Sequence, residues 1–103
     1  CLVHGDLYAR HVLVGDDGAA SGIIDWGDAH LGDPAVDLAI AFSIFSNGAR
    51  AAFAQAYGGI DARTWELARY RAAYHSAMLA HYGHRIGDAR IAEAGLSGLA
   101  RSV

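Results

Sequence analysis

At 103 residues, 53% hydrophobic and 18% charged, the chain has the size and apolar content of one domain with a modest core. Its net charge of −3 disfavours non-specific nucleic-acid binding, and its one cysteine, Cys1, excludes an internal disulfide and makes a reducing cytoplasm the expected compartment. The most apolar stretch, residues 35–45, is too short to span a bilayer and carries Asp37, so no membrane partner is expected, and the first residues lack the basic-then-apolar pattern of a signal peptide.

Leu2-Val3 is too short for an independent strand but can join a sheet edge, and Gly5 to Arg10 reads as a loop. Val12-Leu13-Val14 and Ser21-Gly22-Ile23-Ile24 flank Gly15-Asp16-Asp17-Gly18, and Asp-Gly between two apolar runs predicts a hairpin. Folding the chain about Asp17 and Gly18 brings His11 opposite Asp25, within a residue or two of register. Residues 26–32 form a second loop.

Asp33-Pro34 starts a helix well, with Asp as N-cap and Pro at the first helical position. That helix runs to Phe45 and is apolar on nearly all sides, which predicts a buried central helix. A second helix covers Ala49 to Tyr57 and closes at Gly58-Gly59. Asp61 caps a third to about Arg85, with Trp65, Ala68, Ala72, His75, Leu79 and Tyr82 on one stripe and Leu67, Tyr70, Tyr74 and Met78 on another. Asp88 caps a last helix with Ile91, Ala92, Leu96 and Leu99 inward. The expectation is a small hairpin followed by a helical bundle.

Transfer of a phosphoryl group to an alcohol needs a carboxylate to orient the hydroxyl and accept its proton, and hard cations with oxygen ligands to bridge the phosphates. Asp6, on a loop, suits the base role. Asp25, at the end of an apolar strand, suits the metal role, and His11 lies between them. All eight cationic residues are arginines, and neither a Walker loop nor a GxGxxG pattern is present, so a nucleotide grip within these residues is incomplete. His4 reads as structural, Asp28 and His30 as solvated loop, and Asp37 as a buried carboxylate that must be paired. His81 and His84 share a helix face, but His75 is turned away from His81, which argues against a zinc site. Arg63, Arg69 and Arg71 spread around their helix as a solvated surface.

His4-Gly5-Asp6-Leu7 with His11, then Ile24-Asp25-Trp26-Gly27, then Asp33-Pro34 with Asp37-Leu38-Ala39, resembles the aminoglycoside phosphotransferase and choline kinase group, closely over residues 1–41 and in outline beyond. The resemblance implies an α+β fold: a protein-kinase-like C-terminal lobe, mainly helical, with a short hairpin carrying the catalytic and metal loops. Residues 1–103 would be part of that lobe, with the nucleotide lobe, its glycine-rich loop, lysine and glutamate upstream of residue 1. Asp6 would be the catalytic base. Asp25 would be a magnesium ligand, His11 the second metal and nucleotide-side ligand, and Asp37 a brace for the catalytic loop. Most members carry Asn where this chain has His11. The macrolide phosphotransferase branch resembles it in having His, and imidazole shifts the expected metal from Mg2+ towards Mn2+.

The implied reaction moves the γ-phosphate of ATP or GTP to a hydroxyl of a small molecule, such as an aminoglycoside, a macrolide or a related metabolite. A role in antibiotic resistance is compatible with that class. Two readings compete. One is an inactive truncated remnant or helical interaction module. The other is a metal-dependent phosphoesterase using His4, Asp6, His11, Asp25 and His30, though two-metal hydrolases gather ligands from more strands than one hairpin supplies.

Overall fold

The computed structural model describes residues 1–103. The chain is α+β and mostly helical. Its strands are β1 (Leu2–Val3), β2 (Val12–Val14), β3 (Ala20–Ile23) and β4 (His30–Leu31), and its helices are α1 (Ala35–Leu38), α2 (Ile40–Ile44), α3 (Asn47–Tyr57), α4 (Ala62–Ile86) and α5 (Ala89–Ser102). The strands form two separate antiparallel pairs, β1 with β4 and β2 with β3.

The β2–β3 hairpin folds where Asp-Gly predicts it. Gly15 N–H donates to Ala19 O (2.8 Å), and the Asp17 carboxylate accepts from Ala19 N–H (3.0 Å). The register pairs Val12 with Ile23 and Leu13 with Gly22, and a bulge then shifts it so that Val14 meets Ala20. Ile24 N–H donates to His11 O (2.9 Å), so His11 lies opposite Ile24, one residue from the expected partner. The expected loop over 26–32 is more ordered than the sequence suggests. Trp26–Asp28 is a 3-10 turn, and His30 and Leu31 then pair with Val3 and Leu2.

The expected central helix divides in two. Asp33 caps it through Ala35 N–H (2.9 Å), but at Ala39 the ladder tightens to an i→i+3 bond from Phe42 N–H (3.1 Å). Side-chain periodicity survives this interruption, which is why composition alone reads one helix. Ala35, Leu38, Ala39 and Phe42 pack against Ala68 and Ala72 of α4, with Phe53, Ile60, Trp65 and Leu67 closing over them. The Phe42 and Trp65 ring centroids are 4.6 Å apart. Arg50 of α3 lies over the Phe42 ring (4.6 Å) and donates to the carbonyls of Ala41, Phe42 and Phe45, three acceptors left open where α2 ends.

Asp61 caps α4 through Thr64 N–H (2.8 Å), and Asp88 caps α5 through Arg90 and Ile91 N–H. The faces of these two helices depart from expectation. Leu96, expected inward, is exposed, as are Tyr82, Tyr70, Tyr74 and Met78 of the two α4 stripes. The buried positions are instead Ser76 and Gly83 on α4, beside Ala68 and Ala72, and Ile91, Gly95, Gly98 and Ser102 on α5. Small residues let the two backbones approach closely. A Cβ on Gly95 would lie 2.3 Å from Ala80 N, and one on Gly83 would lie 2.3 Å from Ala92 N. A hydrophobicity count passes over this seam because its members have little or no side chain.

Candidate active site

The two-residue ladder between β1 and β4 lays the loop after β1 against the loop before β4. A Cβ on Gly5 would stand 2.4 Å from Asp28 O, and Gly5 has φ +91°, so both the contact and the turn require glycine there. Asp37, on the partly buried helix α1, holds this loop. Its Oδ2 accepts from His4 N–H (2.6 Å) and its Oδ1 from Gly5 N–H (3.1 Å). Asp37 is half-buried rather than fully buried, and its carboxylate finds its partners in the backbone just before Asp6. Replacing Asp37 with Ala leaves both N–H groups unpaired. The expected outcome is a loss of about 2–4 kcal/mol in chemical denaturation, with Asp37→Asn intermediate.

His4 is structural, in agreement with the reading from sequence. It is 3% exposed, Nε2–H donates to Ile24 O (2.8 Å), and Nδ1 accepts from Asp6 N–H (3.2 Å). That pattern fixes a neutral ring with no free nitrogen. Trp26 packs on it at 4.6 Å between centroids and donates its indole N–H to Ile23 O (2.9 Å). His4 and Trp26 therefore tie the two loops to each other.

His11 lies between the carboxylates of Asp6 and Asp25. Its Nδ1–H donates to the backbone carbonyl of Asp6 (2.7 Å), with Asp6 Oδ2 3.9 Å from the same nitrogen, and its Nε2 stands 3.3 Å from Asp25 Oδ2. The ring is almost buried while the Asp6 and Asp25 side chains are 41% and 65% exposed, so both carboxylates open onto solvent from a fixed base. Because the Asp6 carbonyl takes the Nδ1 proton, Nε2 is the ring nitrogen turned towards Asp25. This is the second-sphere arrangement that orients a metal-binding imidazole. Nε2 and the Asp25 carboxylate are 3.3 Å apart, a spacing at which the two could share one divalent cation. The mixed nitrogen and oxygen donor set is better suited to Mn2+ than to Mg2+.

Asp25 is the one non-glycine residue with positive φ (φ 64°, ψ 61°). Asp tolerates this left-handed region better than most residues, and the cost is one that folds retain where a side chain must be aimed. Spacing gave no sign of it.

Other candidates are not gathered here. His30 Nδ1–H donates to Asp28 O (2.7 Å) and both residues are exposed. His75, His81 and His84 are exposed, and no three His, Cys, Asp or Glu side chains converge as a ligand group. The five residues of the phosphoesterase reading thus supply one pair, His11 and Asp25, rather than a two-metal cage.

The sequence reading missed the feature next to Asp6. A cavity of about 550 Å3 lies between the Gly5-Asp6-Leu7 loop, Val36 and Ile40 of the central helices, and Leu67, Tyr70, Arg71, Tyr74 and His75 of α4. Arg71, exposed as expected, also lines this cavity, and so do Tyr70 and Tyr74 from the second α4 stripe. The i, i+4 spacing of Tyr70 and Tyr74 carried the signal for a shared face but not its direction.

The model of the phosphotransferase enzyme family matches residues 1–73, which include His4, Asp6, His11, Asp25 and Asp37 but end before Tyr74 and His75 of the cavity wall. The chain belongs to this family. It is also similar to Uncharacterized protein YcbJ of Bacillus subtilis (strain 168), at 34% identity over 64 residues. That match covers 62% of this chain and 21% of the relative, so the chain spans about a fifth of the length of the curated relative it matches. No helix of the chain is long and apolar enough to cross a membrane.

Proposed function

We propose that this chain is the catalytic part of a small-molecule kinase that moves the γ-phosphate of ATP or GTP to a hydroxyl group, and that residues 1–103 form part of its C-terminal lobe. The observation that carries this reading is the placement of Asp6 and Asp25 at the two nitrogens of one fixed imidazole, with an open cavity beside Asp6. Asp6 accepts the proton of the acceptor hydroxyl as its oxygen forms a bond to the γ-phosphorus. The bridging P–O bond to the β-phosphate breaks, and the nucleoside diphosphate leaves. His11 and Asp25 would hold a divalent cation, Mg2+ or Mn2+, which neutralises charge on the phosphate oxygens when bound. The remaining nucleotide contacts belong to a preceding lobe, consistent with a chain that has no lysine. An enzyme using ATP or GTP in this way works in the cytoplasm.

The test uses the full-length protein with γ-labelled ATP and GTP and a panel of alcohols, in Mg2+ and in Mn2+. Label on an acceptor, dependent on the cation, supports the reading. Removing the Asp25 carboxylate should weaken metal–nucleotide binding, and Asp25→Ala and Asp25→Gly should do so alike, each by about tenfold or more. Stability separates the two variants. Gly accepts φ 64° and Ala does not, so Asp25→Ala is the less stable by about 1 kcal/mol in a melting experiment. Normal labelling by both variants would show that the role given to Asp25 is mistaken, and no nucleotide binding by the parent protein favours an inactive remnant or interaction module instead.

A further inference from the structure

The cavity beside Asp6 has a chemistry of its own that narrows the acceptor. It has the volume of a small-molecule site. Its walls are apolar where Leu7, Val36, Ile40 and Leu67 line it, and aromatic where Tyr70 and Tyr74 stand one helical turn apart, 66% and 62% exposed. Its charged lining consists of one carboxylate, Asp6, and one guanidinium, Arg71, with His75 at the edge. A polycationic acceptor needs several carboxylates to replace its hydration, and here the single one is the proposed base. Arg71 adds a cation that would repel such a ligand.

Arg71 is also unspent. Arg50 and Arg69 are engaged with backbone carbonyls, Arg69 with Ser102 O at 3.0 Å. Arg71 donates no hydrogen bond within the chain, and no carboxylate lies within 4.0 Å of it; the close carboxylate contacts of the chain are both made by His11. Arg71 is exposed on the cavity wall, and a guanidinium with no partner in the chain is matched by a carboxylate, which it binds in a two-pronged fashion.

We propose that the acceptor is a monoanionic alcohol: a hydroxylated carboxylic acid with a flat apolar body. The body lies against Tyr70 and Tyr74, the carboxylate on Arg71, and the hydroxyl towards Asp6. This rests on the kinase reading above and names the acceptor class of the same site. In the transfer step the carboxylate is a spectator; the bond changes are those already described at the hydroxyl oxygen.

The experiment measures binding and turnover separately on the full-length protein. The probes are 4-(hydroxymethyl)benzoate, its methyl ester and the aminoglycoside kanamycin. Ligand-detected NMR is expected to show the benzoate binding tighter than the ester, and kanamycin not competing with it. Arg71→Gln should weaken the benzoate by about tenfold while leaving the ester within about twofold. Tyr74→Ala should weaken both. Equal binding of benzoate and ester, benzoate binding unaffected by Arg71→Gln, or kanamycin as the preferred ligand overturns the proposal. Cation-dependent consumption of ATP or GTP is followed in parallel. If it persists while the carboxylate preference fails, the acceptor class is wrong and the kinase stands; if nucleotide is neither bound nor consumed, the kinase reading itself falls.

Discussion

Asp6→Asn is expected to lower the turnover of the full-length enzyme by about 10²- to 10⁴-fold, with KM for nucleotide nearly unchanged. The amide keeps the size and the ability to accept a hydrogen bond but loses the capacity to take the proton. Asp6 contributes little to holding the fold. Its side chain is 41% exposed, and its contacts to His4 and His11 run through its own backbone N–H and C=O. The variant should therefore melt with the parent, within about 0.5 kcal/mol. Steady-state kinetics alongside a thermal scan check both halves. A variant that keeps parental turnover would show that the proton leaves by another route, and one that unfolds would show that Asp6 serves structure.

Gly95→Ala should produce the opposite result, a large change in stability with no direct contact to the site. The added methyl would sit 2.3 Å from Ala80 N and 2.6 Å from Ala80 Cα, and backbone atoms cannot rotate aside as a side chain can. Helices α4 and α5 must separate along the seam, at a cost of about 1–3 kcal/mol or more. Ala is normally the better helix former by about 1 kcal/mol, so destabilisation here would isolate the steric term from propensity. Urea unfolding measures it. The exposed Gly48, where a Cβ meets nothing within 4 Å, provides the control: Gly48→Ala should be neutral or stabilising.

These two sites also divide what the sequence made legible from what it did not. The loops around Asp6 and Asp25 could be read because local signals specify them. Asp17-Gly18 sets the hairpin turn and hence which residues stand opposite His11, and Asp33-Pro34 starts the helix that carries Asp37 under His4 and Gly5. The β1–β4 pairing was half legible. Leu2-Val3 had the composition of an edge strand, but its partner, His30-Leu31, is too short to show any alternation. The left-handed backbone at Asp25 is imposed by the chain around it and leaves no mark in residue type. The α4–α5 seam failed for a different reason. Periodicity weights large apolar side chains, and here Ser76, Gly83, Gly95 and Gly98 make the contact while Tyr70, Tyr74 and Leu96 face outward. Outward tyrosines are the price of that choice, and two of them line the cavity beside Asp6.

The two bonds from the Asp37 carboxylate to the backbone of His4 and Gly5 join the segment before Asp6 to a helix whose neighbours Ala35 and Leu38 are wholly buried. That segment consequently has no thermal history separate from the interior. It cannot loosen as an independent hinge while the core stays intact, so amide-exchange protection at His4 and Gly5 should rise and fall with that of Leu38, however exposed the surrounding loop looks from outside.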